Sequence, residues 1–170
     1  MRWFERKFNF DNLAGTFPGI LERLIGTPLK LEEKLSLIPL DYHTVQLEGS
    51  WSIQENVGHL LDSESLWMGR FEDFVSGVEI LREADLTNTK TNQAHHNQAS
   101  LVVLLKDFRK QREAMIEFIR PLAKDADVLT SLHPRLMQPM RLIDLAYFVA
   151  EHDDHHLARI STIWNTLDNK

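Results

Sequence analysis

The chain has 170 residues, 43% of them hydrophobic and 26% charged, with 19 basic and 25 acidic side chains giving a formal charge of −6. That is enough apolar material for one ordinary globular domain over 1–170; it argues against disorder, and the acidic balance disfavours a nucleic-acid-binding surface. There is no cysteine, which excludes disulfides, thiolate zinc sites and a nucleophilic thiol of the protein's own.

Any metal must therefore be held by His, Asp or Glu, and any thiol chemistry must use a thiol from outside. The opening "MRWFERKFNF" lacks an apolar stretch followed by a small-residue cleavage site, so no signal peptide is expected. No apolar run approaches the roughly 18 to 20 residues needed to span a bilayer. A cytoplasmic protein without a membrane partner is the expectation.

In chain order, Phe10, Leu13, Phe17, Ile20 and Leu24 keep a helical spacing, with Gly15 and Pro18 leaving the start open. "GTPLKLEEKLSLIP" reads as a second short helix, Thr27 its N-cap and Pro28 its first residue, closed by Pro39. Residues 40–50 read as a loop, and Ser50 or Ser52 is placed to cap a helix from about Ile53 to Val75. The apolar stripe of that helix is Ile53, Val57, Leu60, Trp67, Met68, Phe71 and Val75. Residues 79–99 are polar and weakly periodic, a long connection of the kind that tends to be functional or mobile. A further helix covers about 100–122, ending near Pro121, and "HPRLMQPM" reads as a loop before a last helix from about Arg141 to Leu167. With no repeat and no alternating strand pattern, the prediction is an all-α domain, a bundle of four main helical segments.

The last helix carries the informative feature. Its apolar ladder runs Leu142, Leu145, Val149, then His152 and His156, then Ile160, Ile163 and Leu167. The two histidines lie about 40° apart in the middle of the apolar stripe. Buried imidazoles must satisfy their ring nitrogens at a cost of roughly 1–3 kcal/mol each if they fail. A cation would serve both; hydrogen bonds to carboxylates or water would do so equally.

On the second long helix His59 lies about 130° from the centre of the apolar stripe, on a side shared with Ser52, Asn56, Ser63 and Arg70. That side suits a surface histidine, or one facing a polar cleft at the mouth of the bundle. Glu64 is in line with Leu60, Trp67 and Phe71, either an edge residue reaching outward or an acid–base group near a site. Arg159 is either an ordinary surface arginine or a group orienting an anionic thiol or substrate. His43, His95, His96 and His133 read as loop residues.

"GSWSIQENVGHLLDSESLW", "EADLTN", "HHN", "HPRL" and "MRLIDLAYFVAEHDDHHLARI" together resemble the DinB/YfiT-like superfamily over essentially the whole chain. The resemblance implies a four-helix bundle, commonly a homodimer, with a divalent metal bound by three histidines. By motif position these are His59, His152 and His156, while His155 fills the adjacent position and is not a ligand. Three neutral imidazoles leave coordination positions open, as in a catalytic rather than a structural site. Zinc or nickel suits such ligands best, with iron or manganese as alternatives.

Relatives include transferases that use small thiols such as bacillithiol or mycothiol. The first reading is therefore a thiol transferase acting on an electrophilic small molecule, with Glu64 taking the thiol proton. The alternatives are a hydrolase using metal-bound hydroxide and a non-catalytic metal-binding or stress-response module. Leu61, Leu66 and Phe74, apolar but outside the main stripe, are the residue-level argument for the homodimer.

Overall fold

In a computed structural model the described residues are 3–11 and 13–169. Met1, Arg2, Asn12 and Lys170, which the domain boundaries include, lie outside them. Four long helices form the bundle: α1 (Phe17–Leu37), α2 (Ile53–Val75), α4 (Leu101–Ile119) and α5 (Leu142–Asp168). A five-residue helix, α3 (Thr89–Gln93), lies between α2 and α4. Both α1 and α2 pack against α4 and α5, so the first two long helices, consecutive in sequence, occupy opposite corners. Among the described residues no helix is long and apolar enough to cross a membrane.

The all-α bundle is present, with one addition. The stretch expected to be a loop folds into a hairpin of β1 (Thr130–His133) and β2 (Gln138–Arg141), paired antiparallel. Neither strand shows an alternating apolar pattern because each is only four residues long. The hairpin is tied to the segment that follows α2 by backbone bonds from Leu132 N to Glu79 O and from Leu81 N to Leu132 O.

The two short helices expected between residues 10 and 39 are a single helix, α1. It starts at Phe17, after Gly15 turns the chain at a φ of +75°, and Pro18 falls in its first turn, where a missing N–H is harmless. Pro28 starts no helix; it lies inside α1. A proline there cannot donate to the carbonyl four residues earlier, a loss worth about 3 kcal/mol or more in an ordinary helix. The carbonyl concerned is that of Leu24, and it accepts instead from Arg112 Nη1 at 3.2 Å. Thr27 caps nothing: its hydroxyl is 3.1 Å from Arg23 O and donates to Asp153 Oδ2 at 2.8 Å.

The start of α2 agrees with expectation. Ser52 is the N-cap, its hydroxyl accepting from Glu55 N while the Glu55 carboxylate accepts from Ser52 N, a reciprocal capping box. The apolar argument for a homodimer does not survive. Phe74 is 2% exposed within the core of its own chain, and Leu61 and Leu66 pack half-buried against that core.

Candidate metal centre

His59 from α2 and His152 and His156 from α5 come together. One ring nitrogen of each lies within 4.8 Å of the others, and Nε2 of His59 is 3.3 Å from Nε2 of His152. The side of α2 that carries His59, Asn56, Ser63 and Arg70 forms one wall of an open cleft of about 1520 Å³. His59 is thus a cleft residue rather than a surface one. His155 lines the cleft too, its ring 5.2 Å from that of His156, but it is not one of the converging three.

The hydrogen-bond network settles which nitrogen of two rings carries a proton. Thr91 Oγ1 donates to Asp62 Oδ2 at 2.9 Å, so towards His59 Nδ1, 3.0 Å away, it can only accept. The His59 proton is therefore on Nδ1 and the Nε2 lone pair faces the cluster. On His156, Nδ1 lies 2.9 Å from Asn56 Oδ1, and the amide is oriented by Nδ2 donating to Ser52 O at 2.7 Å. His156 must likewise donate from Nδ1 and present a bare Nε2. His152 has no such partner: its Nδ1 is buried and unpaired.

All three rings are held neutral. Burial, reinforced by His96 and His155, pulls His59 down to about 4, the carboxylate of Asp62 opposing this only in part. Burial and the neighbouring rings hold His152 and His156 well below the ordinary imidazole range. Two or three lone pairs gathered in a low-dielectric site, with an orphaned nitrogen beside them, are a donor set that fits a divalent cation.

Aromatic rings enclose this cluster. Trp51 lies 4.7 Å from His59, and Trp3 and Trp67 stand edge-on to His152 at 5.1 and 5.2 Å between centroids. Such rings lower the local dielectric on the sides they cover.

The expectation that Glu64 faces the site is not met. It is 1% exposed, does not line the cleft, and both its oxygens accept from Arg112, at 3.0 and 2.6 Å. Arg112 also donates to both oxygens of Asp153, so one buried guanidinium bridges two carboxylates. Burial raises the pKa of Glu64 against the pull of that cation, while the two carboxylates raise the pKa of Arg112. Arg159 does line the cleft; it is exposed and donates to Ser50 Oγ at 3.2 Å.

Of the histidines read as loop residues, His95 is exposed at a φ of +50°. His43 is buried with Nε2 3.1 Å from Ile38 O. His96 is buried and donates to Asp62 Oδ2 at 2.8 Å, so it helps to hold the carboxylate that orients His59 through Thr91. It lies flat on α2 at Gly58, where a Cβ would collide with its ring. Sequence reading missed Asn56, Asp62, Thr91 and His96 as supports of the centre. The available signal was Asn56 and Asp62 three residues either side of His59, with a glycine mid-helix beside it.

Comparison with known proteins shows the family and the fold. The model of the DinB superfamily matches residues 29–160, and the chain belongs to that superfamily. Among solved structures it is similar to YfiT from Bacillus subtilis, described as a probable metal-dependent hydrolase with an unusual four-helix bundle topology. That match has a TM-score of 0.81 at 18% identity and covers 96% of this chain and 94% of the other. No curated protein matches.

Proposed function

We propose that the protein is a metal-dependent enzyme that holds one divalent cation on Nε2 of His59, His152 and His156. On this reading it acts on a small molecule bound in the adjoining cleft. The observation that carries the reading is the pair of fixed tautomers: Thr91–Asp62 and Asn56–Ser52 leave His59 and His156 with lone pairs directed at one point. Histidines packed in a core also need partners on one ring nitrogen, but nothing then requires the bare nitrogens of separate helices to converge. When bound, the cation supplies Lewis acidity, lowering the pKa of a coordinated water or thiol and polarising an oxygen. Zinc or nickel is the first choice for three imidazoles, with iron or manganese as alternatives.

The reaction read first is transfer of a low-molecular-weight thiol to an electrophile. The chain has no cysteine of its own, and a cleft of about 1520 Å³ is roomier than the few hundred to about 1,000 Å³ of an ordinary one-ligand pocket. Arg159 at the exposed side of the cleft is placed to meet a charged end of the thiol. With Glu64 tied to Arg112, the thiol proton leaves to solvent through the open cleft rather than to that carboxylate. Hydrolysis is the second reading, favoured by the fold's likeness to YfiT, described as a probable metal-dependent hydrolase.

The cobalt-substituted protein separates the two. A thiol transferase should develop a metal–sulfur charge-transfer band with at least one of bacillithiol, mycothiol, glutathione or coenzyme A, and metal-free protein should not. A spectrum unchanged by all four rejects the transferase in favour of the hydrolase or of a non-catalytic metal-binding module.

A further inference from the structure

A second site in the same cleft brings two side-chain N–H donors, those of Arg70 and His133, against one another. Arg70 on α2 lines the cleft and is 2% exposed, yet it belongs to none of the ion pairs among the described residues. Its Nε donates to Arg82 O at 3.0 Å, and its guanidinium lies 5.6 Å from the centre of the Trp67 ring. Of the two acids that follow it on α2, Glu72 lies 3.7 Å from Arg82, and Asp73, whose charge reaches Arg70 without a hydrogen bond, is committed to Arg82. Its Oδ2 accepts from Arg82 N at 2.9 Å and Nε at 3.0 Å, and its Oδ1 from Nη2 at 2.7 Å. A buried guanidinium with no carboxylate in direct contact is costly unless something else neutralises it.

Its other neighbour is a second donor. His133, 1% exposed at the end of β1, receives the backbone N–H groups of Arg135 and Leu136 on Nδ1 at 3.2 and 3.1 Å. With Nδ1 accepting, the proton of the neutral ring is on Nε2. That Nε2 lies 3.1 Å from Arg70 Nη1, so two N–H donors face one another. Burial and the charges of Arg70 and Arg135 pull His133 down to about 3, and burial and Arg135 lower Arg70 to about 10.

Arg135 lines the same cleft, its guanidinium 6.0 Å from the centre of the Phe148 ring. Phe148 is 5.4 Å from His133 and 6.1 Å from Trp67, and Trp67 is 5.2 Å from His152. The donor group is therefore one aromatic layer from the three histidines.

We propose that Arg70, His133 and Arg135 form an anion-binding subsite for the carboxylate or phosphoryl group of the molecule that reacts at the histidine centre. An oxyanion there would accept from Arg70 Nη1 and His133 Nε2 together, turning a donor–donor contact into two charge-assisted bonds. This rests on the reading that the cleft holds a small-molecule substrate, but the subsite itself needs no metal.

Calorimetric titration of the protein as purified with benzoate, phenyl phosphate and the neutral isostere benzamide tests it. The subsite predicts that one of the two anions binds at least about tenfold more tightly than benzamide, the size expected of a charged hydrogen bond. The tighter of the two identifies the chemical class. The preference should persist after chelator treatment and fall to near parity in Arg70→Gln and in Arg135→Gln. Arg135 is half-buried, so its substitution keeps the test valid if Arg70→Gln does not fold. Anions binding no better than benzamide overturn the subsite. So does a preference that survives both substitutions, or one that disappears on chelation alone, which would place the anion on the metal. A protein that contains no metal but keeps the arginine-dependent preference refutes the metal reading and leaves the subsite standing.

Discussion

His59 and His156 each hold a proton on Nδ1 because the residue beyond them has no other way to satisfy its own hydrogen bonds. Thr91 spends its hydroxyl proton on Asp62, and Asn56 turns its amide nitrogen to Ser52 O, leaving Oδ1 to accept. These are orienting interactions of the kind whose loss weakens metal binding by about 10- to 100-fold. Asn56→Leu, which removes the acceptor but keeps the volume, should weaken zinc affinity by that order, measured by competition with a chromophoric chelator. An affinity unchanged within about twofold would mean that the amide has no part in the centre. Of these residues the sequence made His152 and His156 visible, because they interrupt an apolar ladder. It left His59 undecided, since wheel position separates apolar from polar sides but not cleft from open surface. Thr91 and His96 were invisible because they meet His59 only through the fold of residues 79–99, and the spacing of Asp62 from His59 gave no role without them.

Among the helices, the Arg112 cluster ties α1, α2, α4 and α5 together. Arg112 from α4 bridges Glu64 of α2 and Asp153 of α5 and donates to Leu24 O on α1, the carbonyl that Pro28 leaves free. Each charge stands in its own helix where a leucine would be expected: Glu64 between Leu60 and Trp67, Arg112 between Phe108 and Met115. One such charge reads as an anomaly, whereas two opposite ones in two apolar lines read as a pair. Seen singly, Glu64 suggested acid–base chemistry. Arg112→Met leaves two carboxylates buried without a cation, which should cost about 3–5 kcal/mol in urea denaturation. Replacing Glu64 and Asp153 by leucine in the same chain should recover most of the loss, since a well-packed apolar cluster can match a buried ion pair. A loss below about 1 kcal/mol for the single variant would show that the cluster contributes no more than a surface pair.

For the whole molecule, α2, α4 and α5 were legible as long helices because three- and four-residue apolar spacing persists over 19 to 27 residues in each. The hairpin was not, since four-residue strands carry too few positions for a period of two to show. α1 was split in two because Pro28 normally starts or ends a helix, and its compensation by Arg112 is tertiary. The consequence for function is that α2 and α5, distant in sequence, supply the three histidines, while the hairpin brings His133 and Arg135 to the same cleft.

The central claim is that the three histidines hold a metal, and elemental analysis of protein purified without a histidine tag tests it most directly. The account predicts about one equivalent of a divalent transition metal per chain, lost in His59→Ala/His152→Ala and retained in His155→Ala. Full occupancy in the double variant, or a folded wild-type protein that neither contains nor takes up a divalent metal, would contradict it.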